Sequence, residues 1–166
     1  MRLIWYTLEN LNVKNHHISL RLLEDNDLEF LYSVENNTDN KKYGANNGYL
    51  SKKTLEAYIK NSGADISVYG QQRFVIVLNN TSIGLIDLFD FDQINRSAYI
   101  GVIVINEYQN KNYGSNALEL LISYSWNELD LLSLYANINP ENNISISLFN
   151  KFYFKKIKET LYQLNR

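Results

Sequence analysis

The chain has 166 residues, enough for one domain with a core of its own. Sixteen basic and eighteen acidic side chains leave a formal charge of −2, which gives no pull toward nucleic acid or an anionic membrane surface. There is no cysteine, so disulfides, thiol nucleophiles and thiolate metal sites are excluded.

Met1 to Leu8 holds only a short apolar stretch, and Glu9 and Asn10 interrupt it without a small-residue cleavage site. Residues 1–15 are therefore expected to form an N-terminal extension, and 16–166 a single domain. No run reaches the length that spans a bilayer, and a cytoplasmic location is expected. The only histidines, His16 and His17, are adjacent and precede a strand, where neighbours face opposite ways and chelate poorly.

Ile18, Leu20 and Leu22 alternate with Ser19 and Arg21, a strand. Acids at 24, 25 and 27 then precede Leu28, Leu31 and Tyr32, and Asn26 with Glu29 resembles a capping box, so a helix starts here. Ser51 opens a second helix through Leu55, Tyr58 and Ile59 that ends near Gly63. Residues 73–78 and 83–89 read as a hairpin turned by Asn79, Asn80 and Thr81.

Residues 97–105 form a third β run. It has Tyr99, Gly101, Ile103 and Ile105 on one face and Ala98, Ile100, Val102 and Val104 on the other. Apolar residues on both faces predict a strand covered from both sides. The period then changes: Ala117, Leu118, Leu121, Ile122, Ser125 and Leu129 mark an amphipathic helix from Tyr113 onward. Residues 131–138 return to β, and 142–151 are helical with Ile144, Leu148 and Phe152 on one stripe. A last strand is expected near 154–158 or 161–164. The third β run, the long helix and the strand after it make a βαβ unit.

Between that strand and the long helix runs the polar segment 106–117. A loop entering a helix N-terminus presents unpaired backbone N–H groups and the positive end of the dipole, a ready site for phosphate. Lys111 adds a charge, and Gly114 lets the backbone come close. An ordinary strand-to-helix turn would also contain these residues.

From Arg73 to Phe154 the chain resembles the GNAT superfamily of N-acetyltransferases, nearest the spermidine/spermine and ribosomal-protein N-terminal branch. The resemblance is carried by Ile83 to Leu88, Asn95 to Gly101, Gln109 to Ala117 and Asn142 to Phe149. It implies an α/β (α+β) fold: a mixed, mostly antiparallel central sheet flanked by helices, with a βαβ cofactor-binding core. It also implies acetyl-CoA as cosubstrate, no metal, and an acceptor that is a small amine, a polyamine or a protein N-terminus.

The family's phosphate loop, Arg/Gln-x-x-Gly-x-Gly/Ala, falls on Gln109, Asn110, Lys111, Asn112, Tyr113 and Gly114, with Ser115 following. Asn112 stands for the first glycine, and Asn is the side chain that best tolerates left-handed angles. By the resemblance, backbone at Val102, Ile103 and Val104 holds the thioester, and Asn142 and Ser145 contact the pantetheine arm or phosphates. Asn142 is also a natural helix N-cap. Asp87 stands where relatives carry an acid and is the candidate for base relay or amine binding; an ordinary polar strand residue would look the same.

Three departures are visible. Phe149 stands where many relatives place a proton-donating Tyr, with Tyr153 or Tyr135 as substitutes. Tyr99 replaces the polyamine branch's strand acid, and the C-terminal hairpin, which in relatives contributes dimer contacts, has room for one full strand and a fragment. These departures keep a second reading open, a CoA-binding module without turnover.

Overall fold

The computed structural model describes residues 6–7, 18–42, 48–63 and 65–166. His16, His17 and residues 43–47 lie outside them. Among the described residues, eight strands form one sheet in the order β1-β2-β3-β4-β5-β6-β8-β7: Tyr6–Thr7, Ile18–Leu22, Gln72–Leu78, Thr81–Asp92, Ser97–Val104, Ser133–Asn137, Lys155–Lys156 and Leu161–Asn165 for β1 to β8. Two residues of the expected N-terminal extension thus join the sheet edge, where Tyr6 pairs with Leu20 and Thr7 with Ser19. All pairings are antiparallel except β5 with β6.

The helices are α1 (Leu28–Glu35), α2 (Thr38–Lys41), α3 (Lys52–Ser62), α4 (Ile66–Tyr69), α5 (Tyr113–Asn127) and α6 (Asn143–Lys151). The single-turn helices α2 and α4 carry too little periodicity to be expected from the sequence. Strand alternation sends side chains to two cores. On one face Leu20, Phe74, Ile76, Ile86, Leu88 and Ile100 meet Leu118, Leu121 and Tyr124 of α5 and Phe149 of α6. On the other, Val75, Val77 and Leu85 meet Leu31 and Val34 of α1 and Leu55 and Ile59 of α3.

Two local expectations are corrected. The start of α1 is not fixed by Asn26 and Glu29. Asp27, in a 3-10 turn ahead of α1, accepts from the Glu24 N–H at 2.9 Å and from Arg21 at 2.6 and 2.8 Å. Arg21 of β2 draws that carboxylate inward, while Glu29 is exposed and pairs with Lys52 at 2.5 Å. In α6, Leu148 and Phe152 face the core as expected, but Ile144 is 67% exposed and the buried residue is Phe149. The Asn142 cap, accepting from the Ser145 N–H at 3.1 Å, sets that rotation.

Asn79 and Asn80 both have positive φ, 47° and 66°, which the tight β3–β4 turn requires. Beyond that turn a bulge between Ile76 and Val77 shifts the register by one residue. Gly84 lies at this bulge, and a Cβ there would come 2.3 Å from the Ile103 carbonyl oxygen and 3.2 Å from Val104 Cα. Both neighbours are backbone, so Gly84→Ala is expected to cost about 3 kcal/mol. The check is a urea melt of the variant; a midpoint equal to that of the parent would show that β4 and β5 can part at this point.

Candidate active site

Parallel pairing of β5 with β6 is confined to Ser97–Tyr99 against Ser133–Tyr135. β5 continues to Val104 while β6 turns to β8 on its other side. The two strands diverge into a cleft of about 1520 Å³, walled by Ile100 to Val104 on one side and Ala136 to Asn139 on the other. The cleft runs from the start of α5 on one face of the sheet to α1 on the other.

The backbone of β5 alternates along this wall. The Ile105 N–H donates to the Ile83 carbonyl at 3.0 Å, and the Ile103 carbonyl lies against Gly84, so residues 103 and 105 turn their backbone groups toward β4. Val102 and Val104 turn theirs the other way, into the cleft. Of the three residues expected to hold a thioester by backbone, Val102 and Val104 turn their backbone groups to the cleft, while the Ile103 peptide serves the β4 ladder and its side chain packs toward the α1 core.

Gln109 straps the end of this strand, its amide donating to the Val104 carbonyl at 2.8 Å and to Asn106 Oδ1 at 3.1 Å. The loop then carries two left-handed residues, Asn110 at φ 59° and Asn112 at φ 64°. Asn112 thus adopts the glycine-like conformation its position demands. The first helical bond of α5 runs from the Asn116 N–H to the Asn112 carbonyl at 3.0 Å. The N–H groups of Gly114 and Ser115 precede it and open toward the cleft mouth. Lys111 does not aim there: its ammonium donates to the Glu107 carbonyl at 2.8 Å and sits 5.5 Å from the Tyr108 ring centroid. Tyr113, Asn142 and Ser145 all border the cleft.

At the far end stands a cluster that the sequence reading did not assemble. Arg73 of β3 pairs with Asp87 of β4 at 3.0 Å and with Glu35 at the end of α1. Its guanidinium lies 5.4 Å from the Tyr58 ring centroid. Gln71 donates to the Tyr58 hydroxyl at 2.9 Å and reaches Asp87 at 3.5 Å. Asp87 is 8% exposed. Burial pushes its carboxyl above the ordinary value, against the pull of Arg73, and the nearby Glu35 adds to the rise. Burial works against the charge on Arg73, but Asp87, Tyr58 and Glu35 more than offset it and hold the guanidinium protonated.

Asp87 stands opposite Gly101 in the β4–β5 register. A Cβ on Gly101 would meet Asp87 Oδ1 at 2.6 Å. The missing side chain is therefore the space into which the carboxylate leans, over the cleft-lining strand.

The aromatic candidates are placed elsewhere. Tyr153 is 81% exposed on the turn after α6, at φ 65°, and is not among the residues lining the cleft. Tyr135 stacks on Tyr99, and Tyr99 on Phe89, at centroid distances of 5.3 and 5.7 Å; the Tyr135 hydroxyl accepts from Gln163 at 3.2 Å. Phe149 is buried, borders the cleft and packs edge-on against Phe154 at 4.9 Å. Among the described residues there is no grouping of metal-ligating side chains and no helix long and apolar enough to cross a membrane.

An acetyltransferase (GNAT) domain matches residues 17–155. The chain belongs to this family. It is similar to spermidine N(1)-acetyltransferase of Escherichia coli K12, 28% identical over 151 residues that cover 89% of this chain and 78% of the relative. It is 29% identical to the putative ribosomal N-acetyltransferase YdaF of Bacillus subtilis over 138 residues, 80% of this chain and 75% of the relative. Its fold superposes on the crystal structure of Vibrio cholerae spermidine N-acetyltransferase in complex with CoA and spermine. The TM-score there is 0.82 at 24% identity, covering 89% of this chain and 95% of that one. The diverging strands, the loop at the start of α5 and the mixed sheet are thus those of a GNAT acetyltransferase, and the expected fold class is the one found.

Proposed function

We propose that this N-acetyltransferase moves the acetyl group of acetyl-CoA to the primary amine of a small cationic acceptor, by direct attack inside the cleft between β5 and β6. The observation that carries the reading is the arrangement along β5. A loop entering a helix start with open N–H groups lies at one end, an open backbone edge in the middle, and two carboxylates around one guanidinium at the other.

The phosphates of acetyl-CoA fit the Gly114 and Ser115 N–H groups and the α5 dipole. Donors on β5 at Val102 and Val104 are placed to orient the thioester and polarise its carbonyl. Arg73, Glu35 and Asp87 together carry one net negative charge, which one ammonium neutralises. Asp87 receives that ammonium and takes or relays its proton, leaving a neutral nitrogen. The nitrogen attacks the carbonyl carbon, the C–N bond forms, the C–S bond breaks, and the second nitrogen proton is released. Phe149 has no proton to give, so the CoA thiolate is protonated from solvent.

The acceptor is tested by following thiol release with spermidine, a monoamine and a peptide bearing a free N-terminus. Release with the small amines is expected; release with the peptide alone would move the assignment to protein N-termini.

Gly101→Ala probes the acceptor end directly. Its Cβ would push Asp87 Oδ1 aside, and displacement of a reacting group by about 1 Å costs on the order of 100-fold. We expect kcat/KM for the amine to fall by that order while CoA affinity is unchanged. Equal amine kinetics in parent and variant would remove Asp87 from the acceptor site.

A further inference from the structure

Resting on the small-amine reading above, we infer that the acceptor carries an apolar ring close to its reacting nitrogen, and that Phe89, braced by Tyr99 and Tyr135, selects it. Phe89 stands two residues beyond Asp87 on the same face of β4, about 7 Å along the strand. It borders the cleft. A Cβ on Gly101 would meet Asp87 Oδ1 at 2.6 Å and Phe89 Cε1 at 3.6 Å. The notch that Gly101 leaves is therefore bounded by a carboxylate and by the edge of an aromatic ring. An ammonium set against the first brings the carbons that carry it against the second.

Phe89 belongs to a row that crosses five strands. It pairs with Tyr99, Tyr99 with Tyr135, Tyr135 with Gln163, and Gln163 with Lys155. Directly paired residues share a face of the sheet. The three rings follow one another at 5.7 and 5.3 Å between centroids, each step tilted by 31°. Tyr99 thus has a ring on either side, so its π faces meet neighbours and are not spread open to a cation. The row carries no carboxylate and ends on an exposed lysine, which repels a second ammonium. Asp90, beside Phe89, is exposed to solvent, where pairing with an ammonium gains little. Glu35 and Asp87 share Arg73, and the reacting ammonium meets their one surplus charge. What the site offers beyond Asp87 is a ring edge, and ring edges attract the face of another aromatic ring.

The test follows thiol release with 2-phenylethylamine, 2-cyclohexylethylamine and spermidine in the parent, F89A and F89L. In the parent, kcat/KM for 2-phenylethylamine should exceed that for spermidine by about tenfold and that for 2-cyclohexylethylamine by about threefold. F89A should lower the first ratio by about tenfold. F89L, which keeps apolar volume against Tyr99, should erase the preference for phenyl over cyclohexyl. Ratios between amines within one enzyme cancel any loss of folding or of acetyl-CoA binding. Spermidine turned over at least as well as 2-phenylethylamine by the parent, or ratios unchanged in both variants, would overturn the inference. Release with none of the three amines by a parent that binds acetyl-CoA would instead sink the small-amine reading, and the ring assignment with it.

Discussion

Gly114→Val is expected to abolish CoA binding, whereas Gly114→Ala should leave it nearly intact. The contrast follows from where a side chain at 114 would go. Gly114 does not have positive φ, so its backbone imposes no need for glycine. A single Cβ would lie 3.6 Å from Val104 Cγ2 and 3.8 Å from Leu148 Cδ2, ordinary contact distances. The two further methyls of Val extend beyond that point, between β5 and α6, where the arm joining the phosphates to the thioester must pass. Calorimetry should show the Ala variant within about threefold of the parent and the Val variant weaker by more than about 100-fold, a loss of over about 2.7 kcal/mol. Full affinity in the Val variant would show that the phosphates bind elsewhere.

Asp87→Asn is the second large effect. General-base and orienting groups are worth on the order of 100-fold or more, and we expect kcat to fall by about that amount with little change in acetyl-CoA affinity. The pH profile separates this from a loss of shape. An acid whose value is raised keeps its proton to higher pH and acts as a base only above it. The rising limb of kcat/KM should therefore start above the ordinary carboxylate range in the parent, and activity should fall as pH drops through that raised value. In Asp87→Asn the limb should vanish, leaving only the titration of the amine. An unchanged profile in the variant would exclude Asp87 from proton handling.

The cofactor end of the site was legible because its parts are contiguous in sequence. Gln109 to Ser115 form one loop, and Asn112 takes the left-handed angles that its place in the motif asks for. Asn142 likewise reads as a cap from its neighbours alone, and is one. The acceptor end was legible only at Asp87. Counting back from the Asn79–Asn80 turn would set Arg73 opposite Ile86, which points to the other face. The bulge at Ile76 and Val77 moves the pairing by one residue and brings Arg73 to Asp87. No spacing in the sequence announces that bulge.

Glu35 was hidden for a related reason. It closes α1 with nothing in its sequence neighbourhood to mark it, and only the packing of α1 on β3 singles it out. Tyr153 shows the same limit: its hydroxyl suggested a proton donor, and only the structure places it at the left-handed position closing α6, with its side chain exposed. The long strands and helices were readable from alternation and period, and their arrangement in one mixed sheet from the family resemblance. The splay of β5 from β6 was not, since it depends on where parallel pairing stops at Tyr99.

Whether the cleft along β5 joins acetyl-CoA to an amine is tested most directly by thiol release from acetyl-CoA after calorimetric proof of binding. Saturable CoA binding is expected, with release that depends on added amine and is lost in Asp87→Asn. Binding with no release across small amines, polyamines and free peptide N-termini would contradict turnover at this site. It would leave the cleft a CoA-holding module.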